Sequence, residues 1–144
     1  MKKDIKTAVL KEYQRSKKTI ATAYFLILLS VLCYLLFFLH TKEPMLVGTG
    51  ILFDIAAVTY VFRALRTIHP YWEMQLALTY QKKDTEYDFH RFLASLEIAK
   101  EQQLPAFNER AKEIFQETLE HSRKSSVLSA SDVAHLEQLL AEIR

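Results

Sequence analysis

Residues 19–39 read TIATAYFLILLSVLCYLLFFL, a run without a single charge. At 1.5 Å of rise per residue, such a helix is about 31 Å long, close to the hydrocarbon thickness of a bilayer. The stretch therefore predicts a membrane-spanning helix. A cleaved signal peptide would carry an apolar region of about 7–15 residues ending in small residues. The sequence after Leu36, FFLHTKEP, offers no such site, so the run is expected to remain in the chain.

A second apolar run, Met45 to Phe62, holds one charge, Asp54. An Asp at a helix centre costs about 2.5–3.5 kcal/mol on insertion, and each Leu, Ile, Val or Phe returns about 0.3–0.6. Nine such residues bring the sum near balance. Beside the first helix, this run is expected to span as well. Only HTKEP, His40 to Pro44, joins the two, which predicts an antiparallel helical hairpin over residues 19–66. Its spans are placed at about 19–39 and 45–66. Pro44 suits the first turn of the second helix, where no N–H is needed.

Charge sets the expected orientation. Residues 1–18 carry seven basic and two acidic side chains, residues 67–144 nine basic and thirteen acidic, and the short link only Lys42 as a base. Basic residues gather on the cytoplasmic side of spans. Both termini are thus expected in the cytoplasm, and a bacterial plasma or inner membrane is the expected location. Lys17, Lys18, Arg63 and Arg66 would flank the spans at the interface, with Tyr71 and Trp72 as aromatic anchors.

Asp54 is the one acid inside the second run. In a hairpin centred near Lys42 it faces Ser30. Gly50, Asp54, Ala57, Val61 and Ala64 fall on one stripe, mostly of the small residues that let helices approach closely. Asp54, Ser30, Gly50 and Ala57 are therefore the expected intramembrane contact set, toward each other or toward a partner helix. Lipid disfavours a charged carboxylate, and a neutral carboxyl can donate to Ser30. An acid at this depth also admits proton or ion transport. In outline the arrangement resembles the proton-carrying ring subunit of rotary ATP synthases. The glycines here lie on the second helix and a long tail follows, so the likeness stops at architecture. Cys33 is the only cysteine, which excludes an internal disulfide.

The basic arm, residues 1–18, has Ile5, Val9 and Tyr13 at four-residue spacing and is expected to be an amphipathic helix against anionic lipid. Aromatics do not interleave its lysines, so nucleic acid is not an expected partner. The tail, residues 67–144, reads as three or four helices forming a small cytoplasmic domain. Tyr71 to Gln81 is a short piece. Thr85 with Asp88 caps a helix to about Gln103. Pro105 is expected to open a helix to about Arg123, and Ser129 with Asp132 to cap the last. Apolar stripes such as Phe89, Phe92, Leu93 and Leu96 are expected to pack together. Three helices make a marginal core alone, so residues 85–143 are also a candidate surface for a soluble partner.

Glu86 and His90, four apart and flanked by Asp84 and Asp88, have the spacing of two metal ligands on a helix. A zinc site wants three or four. With no second matching pair, no metal is expected. Phosphate loops, nucleophile elbows and Cys–His arrangements are missing from the sequence. The expectation is an all-α, non-enzymatic membrane protein without cofactor. It would be an adaptor or small subunit of a larger membrane complex, contacting lipid, other membrane subunits or its own copies. The alternative is a proton- or ion-coupled subunit using Asp54.

Overall fold

The computed structural model describes residues 2–65 and 68–143. Among them lie six α-helices and no strand: α1 (Lys2–Leu36), α2 (Pro44–Leu65), α3 (Tyr71–Lys83), α4 (Glu86–Glu101), α5 (Glu109–Lys124) and α6 (Ala130–Ile143). One widened π turn, Phe37–Thr41, extends α1. The chain divides into two compact units. One joins residues 2–12 to residues 68–143, and the other holds residues 13–65.

The basic arm and the first apolar run form a single helix rather than two elements. The chain from Arg15 to Ala23 contains no Gly or Pro to interrupt it. The hydroxyls of Thr19 and Thr22 donate back to the carbonyls of Arg15 and Lys18, each at 2.9 Å. Ile5, Val9, Tyr13 and Ser16 are buried, so the expected stripe continues by one more turn.

The link to α2 is shorter than HTKEP, because His40 and Thr41 belong to the π turn. Lys42 then takes a left-handed conformation, φ 49° and ψ 26°, and its N–H donates to the Phe37 carbonyl at 3.1 Å. That geometry is a helix C-cap normally filled by Gly or Asn. Pro44 is the first residue of α2. The helix containing residues 19–39 and α2 are both long and apolar enough to cross a membrane. In each, only 11% of the most apolar window is buried. Phe25, Leu28, Leu32, Leu52, Ile55 and Phe62 are all exposed.

The other unit has its core along α4, which is buried on nearly every side, with Phe89, Phe92, Leu96 and Ile98 almost inaccessible. Rings bridge the helices: Tyr80 of α3 meets Phe89 at 5.3 Å, and Phe92 meets Phe115 of α5 at 5.4 Å. The caps follow the side chains. The Asp88 N–H donates to Thr85 Oγ1 at 3.2 Å, and the Asp132 N–H to Ser129 Oγ at 3.3 Å. Pro105 does not open α5. Asn108 caps it, its Oδ1 accepting from the Ala111 N–H at 2.8 Å. The preceding segment instead buries Phe107, whose ring lies 4.9 Å from Phe115. Residues 2–12 complete this core by burying Ile5 and Val9, which is how a short helical tail gains interior.

Candidate functional site

The polar centre of the apolar unit is a three-residue cluster. Tyr34 on α1 donates its hydroxyl proton to Asp54 Oδ2 on α2 at 2.7 Å. Ser30, one turn before Tyr34 and only 1% exposed, is hydrogen-bonded to the same carboxyl group. Sequence reasoning named Ser30 and missed Tyr34. The four-residue spacing puts both hydroxyls on one face of α1, and Tyr has the longer reach. Gly50 explains how the ring fits. A Cβ built on Gly50 would lie 2.6 Å from Tyr34 Cε1, so only a residue without a side chain leaves room. Gly50, Ala57 and Ala64 are the buried positions of α2, and Ala23 and Ser30 are their buried counterparts on α1. Val61, expected on the same stripe, is 38% exposed. The expected contact set is thus engaged inside this chain, with Asp54 half-buried between two hydroxyl donors.

The expected interface residues are scattered. Lys17, Lys18 and Arg63 are exposed, and the Lys17 ammonium lies 4.9 Å from the centre of the Tyr13 ring. Arg66 lies outside the described residues. Tyr71 is 57% exposed, but Trp72 is only 3% exposed. Trp72 shares its stripe with buried Leu76 and Tyr80, four and eight residues on, so the helical period directs it to the interior.

The second polar constellation joins α1 to α4 and α6. Lys2 Nζ lies 2.5 Å from Asp132 Oδ1. Lys6 Nζ reaches Glu101 at 2.5 Å and Glu97 at 3.2 Å. Glu12 accepts from Arg91 at 2.8 Å. The carboxylates hold the Lys6 pKa above its ordinary value, the Glu101 hydrogen bond being the largest cause. Burial opposes charge on Asp132, and Lys2 and Ser129 outweigh it, so its pKa is lowered. The lysines expected on lipid are therefore held in part by protein acids. The signal was present in the opposite charge balances of the two flanking segments, which sequence reasoning used only for orientation.

Asp132 also supplies what the Glu86–His90 pair lacked. The donor atoms of all three lie within 4.8 Å of one another. His90 Nε2 is 3.3 Å from Glu86 Oε1 and 3.8 Å from Asp132 Oδ2. Yet Lys2 occupies one oxygen of Asp132, and the Ser129 hydroxyl donates to the other at 2.8 Å. Both oxygens of the Asp132 carboxylate therefore already have neighbours within the chain.

His69, at the start of the tail, makes a third link. Its Nε2 donates to the Pro105 carbonyl at 2.7 Å, and its Nδ1 lies 2.8 Å from Glu73 Oε1. Burial opposes charge on this ring. Glu73 and the Pro105 carbonyl outweigh it, so the His69 pKa is raised. Glu73 itself is 1% exposed, and its second oxygen has no partner among the described residues. Compared with known protein families, curated proteins and solved structures, the chain matches none.

Proposed function

We propose that this chain is an integral membrane protein that crosses the bilayer twice as a helical hairpin, with both termini in the cytoplasm. It serves as an adaptor or small subunit of a larger membrane complex. The observation that carries this reading is the outward display of bulky apolar side chains along both long helices, joined by a two-residue link. In water such a surface would be far larger than soluble monomers expose. In lipid it is the ordinary exterior.

Asp54 acts as a lock between the two helices. Two hydroxyl donors from α1 already engage its carboxyl, which supports a structural bond over proton carriage. Partner contacts then belong to the lipid-facing surfaces of the hairpin and to the helical unit that includes residues 85–143. The proposed role is one of binding and anchoring.

The test is purification in mild detergent of the parent, Asp54→Asn and Asp54→Leu. Asn keeps hydrogen bonding to Tyr34 and Ser30 and cannot ionise. Asp54→Asn is expected to keep the parent's migration and co-purifying proteins, and Asp54→Leu to lose thermal stability. A parent that elutes from membranes in alkaline carbonate would refute the reading.

A further inference from the structure

We propose that Glu86, His90 and Asp132 form a binding site for a divalent transition ion of the zinc type, and that the Lys2 ammonium competes with the ion for Asp132. Glu86 and His90 stand one turn apart on α4, and Asp132 comes from the first turn of α6. His90 Nε2 lies 3.3 Å from Glu86 Oε1 and 3.8 Å from Asp132 Oδ2, and the three donor atoms fall within 4.8 Å of one another. Ligands held at about 2.0–2.1 Å by a tetrahedral zinc ion are about 3.3–3.4 Å apart. The Glu86–His90 edge already has that length. The Glu86–Asp132 edge has at most about 1.5 Å to close, and the Glu86 side chain, 45% exposed, is free to swing.

The other two donors are fixed by packing. His90 is 3% exposed, and Asp132 is buried as well. The Ser129 hydroxyl donates to Asp132 Oδ2 at 2.8 Å, the kind of outer hydrogen bond that orients a ligating carboxylate. A cavity of about 460 Å³ opens on His90 and Asp132. It gives an ion a way in and leaves room for water as the fourth ligand. An imidazole with carboxylates suits zinc, whereas magnesium prefers oxygen alone. A cation already sits at this place: Lys2 Nζ lies 2.5 Å from Asp132 Oδ1. A buried carboxylate needs a positive partner. The Lys2 side chain, 62% exposed, is an exchangeable one.

Binding is then an exchange. The neutral His90 ring presents the Nε2 lone pair, its proton sitting on Nδ1, and each carboxylate gives one oxygen. The two carboxylates balance the two positive charges of the ion, and the Lys2 ammonium moves from Asp132 into water. Lysine and ion compete for one carboxylate, so removing the ammonium tightens the ion. Lys6 keeps its own acids, Glu97 and Glu101, and the exchange concerns the start of α1. His135 and Glu97 line the same cavity, 2.8 Å apart, and supply only two donors. The site lies within one compact unit and does not depend on the membrane reading.

The experiment titrates zinc chloride into the full chain, without a histidine tag, in nanodiscs of zwitterionic lipid at about pH 7.5, where histidine is largely neutral. Calorimetry, with empty discs subtracted, should show one ion per chain. Cobalt in place of zinc should give the visible absorption bands of a four-coordinate ion. His90→Gln and Asp132→Asn should each weaken zinc binding by at least about tenfold. Both positions are buried, so Glu86→Gln tests the site without disturbing the core and should weaken zinc by a similar factor. Lys2→Ala should tighten zinc by about threefold or more, the worth of an exposed ion pair. His135→Gln should bind as the parent does. A parent without saturable zinc binding would overturn the proposal. So would an unchanged affinity in Glu86→Gln or Lys2→Ala, or loss of binding in His135→Gln.

Discussion

At Gly50 a single missing methyl group decides whether Tyr34 can reach Asp54. The Tyr34 ring occupies the space that a Cβ would need, at a distance no real contact tolerates. Gly50→Ala is expected to displace the ring and weaken its bond to Asp54, and Gly50→Leu to separate the helices outright. Tyr34→Phe removes the hydroxyl and keeps the ring. It should cost about 1 kcal/mol, the net worth of an ordinary hydrogen bond, with Ser30 still engaged. Unfolding of the detergent-solubilised protein in denaturant ranks the three. The expected order of stability is Tyr34→Phe above Gly50→Ala above Gly50→Leu. Equal stability of Gly50→Leu and the parent would show that the close approach contributes nothing.

Individual helices of the other unit depend on their first turns and on one histidine. Thr85 and Ser129 each accept from the N–H three residues on, and Asn108 does the same for α5. Replacing any of these caps with Ala should cost about 1 kcal/mol. Asn108→Ala is the informative one, since it separates the Asn108 cap from Pro105, which lies outside α5. Phe92→Ala, at the centre of α4, should cost about 3–5 kcal/mol by leaving a cavity against Phe115. His69 adds a pH dependence. Its folded pKa is raised above the ordinary 6.5. Its contribution is thus fully present below about pH 6.5 and lost as pH rises through the folded value. Thermal unfolding midpoints should fall from about pH 6 to about pH 8 in the parent, and His69→Gln should flatten that slope. An unchanged slope in the variant would assign the effect elsewhere.

Across the whole molecule, composition and period carried most of the architecture. The charge-free run 19–39, the caps at Thr85 and Ser129, and the start of α2 at Pro44 were all legible, because each depends on neighbouring residues only. What was not legible depends on distant ones. Helical period alone cannot tell a stripe that faces lipid from one that faces another helix, so Ile5 and Val9 were assigned to a membrane surface and Trp72 to an interface. Asn108 was overlooked because Pro105 is the louder signal for a helix start. Ser30 was found from hairpin register, whereas Tyr34, one turn further, required knowing that Gly50 leaves room for its ring. The proposed hairpin is tested most directly by labelling intact cells with a membrane-impermeant thiol reagent. Single cysteines would be placed at Lys42 and at Ser126 in a Cys33→Ser background. Lys42→Cys is predicted to react from outside, and Ser126→Cys only after the membrane is opened. Reaction of Ser126→Cys in intact cells would contradict the account.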